Sequence, residues 1–239
     1  MLRYLFDEPA READGSLALA FGQIDQFIRL TEKSLAGDSS HSEKSTMNKL
    51  EVWALGLRSS LDELEQSCYA ASKYGALIET CVVQKMSEEE RTNYNRYVYF
   101  DKNAFIRVFS LLDKLGTFLN TLLDMRTEKI KAHYSYFTVL RAMRERRVHV
   151  DFTGKLNAVK EKYKEPMSRL RNRRNTEIHY MNSEMQDDLI QRQRMYGTET
   201  RLENITEQSK DLAQGYAMVL ESLGLTFQYA CMLVRSKQV

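Results

Sequence analysis

"LEVWALGLRSSLDELEQSCYAASKYGALIETCV", residues 50–82, is the stretch whose reading decides the fold. Leu50, Leu57, Leu64, Ala71 and Ile78 recur every seven residues, and Ala54, Leu61, Cys68, Gly75 and Val82 each follow four residues later. Apolar side chains at this spacing, sustained over four heptads, form the a/d seam of a long helix that packs lengthwise on another helix. The seam predicts a helix over about 46–86. Its partner is either a second helix of the same chain, in a hairpin, or the same surface of a second copy. Ala70, Ala71, Gly75 and Ala76 would let that partner's backbone come close.

The rest of the chain reads the same way. Two prolines and ten glycines in 239 residues leave few interruptions to helix. We expect an all-α, elongated bundle of about six helices in a single domain spanning 1–239. A first helix over 16–35 is capped by Asp14 or Ser16 and ended by Gly37. The Ser-rich segment "AGDSSHSEKST", 36–46, reads as a flexible loop. A third helix starts near Glu88 and is best defined over 97–123, where Tyr97, Ala104, Val108, Leu112, Leu115, Leu119 and Leu122 share one face. A fourth covers about 127–148, ending in "RAMRERR", and Gly154 breaks the chain. Pro166 starts or kinks a fifth that runs to about 195, and Thr206 opens the last, 206–236.

Several function classes are disfavoured. A net charge of +2 gives no global pull toward nucleic acid or membrane, so any basic site must be local. Three widely spaced cysteines fit neither a disulfide framework nor a zinc site, and point to a reducing, cytoplasmic setting. "MLRYLFDEPARE" meets Asp7 and Glu8 before any apolar region forms, so no signal peptide is expected. The most apolar run, "YAMVLESLGLTFQYACMLV", is interrupted by Glu221 and Gln228, so no membrane span is expected. No phosphate-binding glycine loop, nucleophile elbow or metal-ligand spacing occurs, and no cofactor or metal is implied.

One local basic site stands out in "RNRRNTEIHY", 171–180. On a helix, Met167, Leu170, Ile178, Met181 and Met185 fall within an arc of roughly 80°, with Arg174 near its middle. Arg171, Arg173 and His179 fall outside it and are expected to reach solvent. A half-buried guanidinium needs an anionic partner. Asp101, on the apolar face of the 97–123 helix, needs a cation and is the best candidate, with Asp113 second. On this basis Arg174 is either the structural half of an ion pair inside the bundle or a phosphate ligand beside a histidine.

"RNTEIHY" resembles the Arg-Asn-x-x-x-His signature of the HEPN superfamily, matched by Arg174, Asn175 and His179. "YFDKNAFIRVFSLLDKLGTFLN", 99–120, is similar to the Asp-Lys-x-Gly…Leu-Asn helix of several bacterial HEPN-like families of unassigned function, through Asp101, Lys102, Phe105, Asp113, Lys114, Gly116, Leu119 and Asn120. The likeness is strongest over 88–195. It implies a HEPN-like core and a homodimer in which paired motifs line a cleft. It also implies a metal-independent endoribonuclease with Arg174, Asn175 and His179 as catalytic residues, Arg171 and Arg173 as RNA phosphate contacts, and Asp101 and Asp113 in support. The alternative is a non-catalytic RNA-binding or interaction module in which the arginine is structural. A helical dimer holding a protein partner through its heptad surface is the third reading.

Overall fold

The computed structural model describes residues 2–36, 40–179, 202 and 204–236. Among these the fold is all-α, with no strand. Among the described residues seven α-helices run in order: α1 (Gly15–Leu35), α2 (His41–Gly75), α3 (Glu88–Leu122), α4 (Tyr136–Glu145), α5 (Val150–Lys162), α6 (Lys164–His179) and α7 (Ile205–Ser236). Short 3-10 turns lie at Leu2–Phe6, Val83–Lys85 and Thr127–Lys129.

Four boundaries differ from expectation, each for a local reason. The 36–46 segment is not a loop throughout, because α2 already begins at His41. Ser40 and Glu43 close a reciprocal cap: the Glu43 carboxylate accepts the Ser40 backbone N–H at 3.1 Å and its hydroxyl at 2.7 Å, while Ser40 Oγ accepts the Glu43 N–H at 3.3 Å. Gly37 lies outside the described residues. The heptad helix stops at Gly75 rather than near 86. A Cβ there would stand 3.1 Å from the Tyr97 ring, so the chain passes a spot that admits no side chain without a shift. The expected 127–148 helix is a 3-10 turn followed by α4, whose N-terminus is fixed by a Ser135–Thr138 capping box. Finally, Gly154 does not break the chain: it lies inside α5, with open space where a side chain would be. Arg147 and His149, both at positive φ, make the break instead, which adds the seventh helix.

The chain folds into two compact units. Unit 1 comprises Met1–Ala10, Leu64–Arg107 and Lys164–Tyr216, and unit 2 comprises Arg11–Glu63, Val108–Tyr163 and Ala217–Val239. In unit 1 the Phe100 ring stacks on Tyr74 at 5.8 Å, and Phe6 packs on Tyr74 and Tyr69. In unit 2, Phe27, Phe118 and Phe227 meet with ring centres 4.9–5.4 Å apart. Six of the eight seam residues on α2 are buried in the single chain, Leu50, Ala54, Leu57, Leu61, Leu64 and Ala71, while Cys68 and Gly75 are partly covered. The seam is therefore satisfied inside one chain.

Against expectation, α7 is long and apolar enough to cross a membrane by length and composition, with a mean hydropathy of 1.4 over the window concerned. That window is 56% buried in the fold. Glu221 accepts hydrogen bonds from Lys162 Nζ and the Tyr163 hydroxyl, each at 2.6 Å, so its charge is matched within unit 2.

Candidate functional site

Asp101 sits one helical turn from Phe105 on α3 and is only 3% exposed. A carboxylate there is costly without a cation and hydrogen-bond donors. The cation is Arg173 of α6, not Arg174. Arg173 Nη2 donates to Asp101 Oδ2 and, at 3.2 Å, to Gln208 Oε1 of α7, while its guanidinium lies 4.8 Å from the Phe105 ring centre. Gln208 Oε1 also accepts the Tyr97 hydroxyl at 3.2 Å. One turn further along α6, Glu177 pairs with Lys102 at 2.8 Å. Arg169 closes the array with a two-pronged contact to Asp211, both N···O distances being 2.7 Å. The α3, α6 and α7 segments of unit 1 are thus joined by three charge pairs. Between them remains a cavity of 20 Å³, room for about one water and no larger ligand.

The expectation that Arg174 is the core arginine and Arg173 the solvated one is therefore reversed. The buried face of α6 runs through Pro166, Met167, Leu170 and Arg173, whereas Ile178 is 56% exposed. Counting Ile178, Met181 and Met185 as core rotated the projected face by about 50°. Met181 and Met185 lie outside the described residues.

Arg174 is half-buried and donates to the Asn175 side-chain oxygen, at 2.8 Å through Nη2 and 3.3 Å through Nε. Arg171 is exposed. His179 is the last described residue of α6, and its side chain lies outside the described residues. The expected continuation of α6 to 195 lies outside them too. Arg174 and Asn175 are brought together; Arg173 and Asp101 form a separate, core-facing pair.

Asp113, the second expected partner for the arginine, has a different task in unit 2. Its Oδ1 accepts the backbone N–H of Tyr136, the first residue of α4, at 3.2 Å. Gly116, one turn on, faces the same point: a Cβ there would stand 2.7 Å from Tyr136 Cα and 2.8 Å from its N. Asn120 follows, its Oδ1 accepting the buried Thr127 N–H at 2.9 Å and its Nδ2 donating to Glu128 at 2.8 Å. Lys114 donates to the Ser60 hydroxyl at 2.7 Å. Asp113, Gly116 and Asn120 thus build the α3–α4 connection, while Lys114 ties α3 to α2.

No group of three or more His, Cys, Asp or Glu able to hold a metal occurs among the described residues. Cys68 faces Asp101 and Glu65, and burial followed by those two charges pushes its thiol well above the ordinary range, so it is poorly nucleophilic.

A family model described as HEPN_Cthe2314-like HEPN matches residues 53–231, which is most of the chain. The chain belongs to this HEPN family. No curated protein and no solved structure gives a significant match. The matched span takes in both stretches that carry the resemblance, Asp101–Asn120 and Arg174–His179, and reaches beyond 88–195 at each end. What the sequence reading of this HEPN chain missed is the rest of the unit 1 array: Glu177, Gln208, Arg169 and Asp211. The signal was present as opposite charges in matching register, Asp101-Lys102 on α3 against Arg173 and Glu177 one turn apart on α6.

Proposed function

We propose that this HEPN protein is a metal-independent endoribonuclease whose reacting groups are Arg174, Asn175 and His179. What supports the reading is that Arg173 satisfies Asp101, so the bundle does not need Arg174 for that buried pair. Arg174 and Asn175 instead form a joined guanidinium–amide unit at the edge of α6. RNA carries its own nucleophile. An imidazole near neutral pKa accepts the 2′-OH proton as the 2′ oxygen bonds to phosphorus, or returns a proton to the 5′ oxygen as the P–O5′ bond breaks. A fixed guanidinium stabilises the charge that builds on the phosphoryl oxygens.

α6 is continuous from Lys164 to His179, so positions 174 and 179 diverge by about 140° around its axis. One α6 does not aim both groups at one phosphate. We propose that two copies complete the site, one giving Arg174 and Asn175 and the other His179.

The test is incubation of the purified protein with a mixed RNA pool in EDTA. Cleavage with 2′,3′-cyclic phosphate ends, no cutting of DNA, and loss of activity in His179→Ala are expected. A native dimer that cuts no RNA overturns the proposal, as does a strictly monomeric protein that cuts it.

A further inference from the structure

Several cations of unit 2 are held by acids: Arg11 by Asp62 at 2.7 Å, Arg58 by Asp25 at 2.6 Å, Lys162 by Glu221 at 2.6 Å. One concave face gathers cations that are not. A groove of 620 Å³ between α1, α5 and α7 adjoins a second of 410 Å³, the two sharing Gln26 and Arg235. Arg29 and Lys33 of α1, Lys155 of α5 and Arg235 of α7 line them, and all four are exposed. None has an ion pair among the described residues, and Asp151 is the only acid among the described lining residues. Four like charges around one concavity raise the local potential, and an anionic occupant relieves it.

The floor narrows the class of anion. The Tyr229 ring is stacked on Phe152 at 4.2 Å and 6°, and its hydroxyl is hydrogen-bonded to His149 Nδ1 at 2.5 Å. An aromatic ring held in one plane beside cations suits a base next to its phosphate. Gln23, Gln26 and Gln228 add amide groups that both donate and accept. A simple phosphate site needs neither the ring nor the amides. We infer that this groove binds a short stretch of single-stranded RNA, with Arg29, Lys33, Lys155 and Arg235 on the phosphates and Tyr229 against a base. The choice of RNA among polyanions rests on the nuclease reading above, but the binding does not require cleavage.

The experiment uses fluorescence anisotropy of a labelled 2′-O-methyl oligouridine, which binds as RNA does but lacks the nucleophile. Lys33→Glu with Arg235→Glu is expected to weaken binding at least about 10-fold and to lower the slope of log K against log salt by about 1.4, the share of two single-strand phosphate contacts. Lys33→Gln with Arg235→Gln should lower the slope equally, without reversing charge. Tyr229→Leu should cost about 5-fold or more at an unchanged salt slope, since stacking is not ionic. Unchanged affinity and slope in the folded double variants overturn the inference. So does loss of binding to phosphatidylserine vesicles in those variants with RNA binding intact, which assigns the groove to a membrane surface. Groove-dependent binding without cleavage of unmodified RNA removes the nuclease reading alone, whereas cleavage with unaltered binding in the groove variants removes this one alone.

Discussion

Asp113–Asn120 on α3 and Arg171–His179 on α6 both carry the HEPN likeness, yet they differ in how their polar groups are used. In the α3 stretch Asp113 and Asn120 have partners that shape the α3–α4 connection, and Lys114 is tied to Ser60 of α2. In the α6 stretch the work is divided: Arg173 faces the core, while Arg174 and Asn175 engage each other. A sequence signature can thus mark a joint as readily as a reaction site. The two are told apart by whether the side chains end on the protein's own backbone.

This contrast can be broken by substitution. The largest effect is expected for Arg173→Ala, which strips a nearly buried carboxylate of its cation and should cost about 3–5 kcal/mol in urea unfolding. Replacing both partners, Arg173→Met with Asp101→Leu, should recover most of that loss. A harmless Arg173→Ala would mean that the core pair is misassigned. Gly116→Ala comes next, at about 2–3 kcal/mol, because its new methyl meets backbone atoms of Tyr136 that cannot rotate away. Asn120→Ala should cost about 1–3 kcal/mol, the desolvation of the Thr127 N–H left buried without its acceptor.

Arg174→Ala sharpens the contrast from the other side. Its thermal midpoint should stay close to that of the native protein, a change below about 1 kcal/mol, while RNA cleavage disappears. Loss of stability equal to that of Arg173→Ala would return Arg174 to a structural role. The smallest effect concerns acid. The hydrogen bond from Asn120 leads the causes that hold Glu128 below its ordinary value of 4.5. The folded state therefore favours the carboxylate, and the stabilisation is complete above 4.5 and fades as pH falls through the lowered value. A pH series of melts should show the deficit of Asn120→Ala shrinking slightly below that point.

Much of the fold was legible because it rests on periodicity. The limits of α3 and α7, the buried seam of α2 and the need of Asp101 for a cation all follow from spacing and burial. Harder to see was what rests on few residues. α6 offers only Met167, Leu170 and Ile178 as apolar markers, and counting the exposed Ile178 with Met181 and Met185 moved the projected face by about half a residue step. The caps at Ser40–Glu43 and Ser135–Thr138 were readable as short spacing signals but weak beside the polar runs that contain them. Gly154 misled because a helical glycine costs only about 1 kcal/mol, which α5 absorbs while Phe152, Thr153 and Leu156 pack inward.

The Arg173–Asp101 pair also sets a clock. Its halves lie 72 residues apart, whereas Asp113 and its Tyr136 partner are separated by 23. At about 5–20 residues per second of synthesis, Asp101 waits roughly 4–14 s for its cation, and Asp113 roughly 1–5 s for its amide. The α3–α4 joint is thus ready while the Asp101 end of the same helix is still open to water. The order in which the ribosome delivers α3's partners leaves that end exposed to proteases and chaperones until α6 emerges.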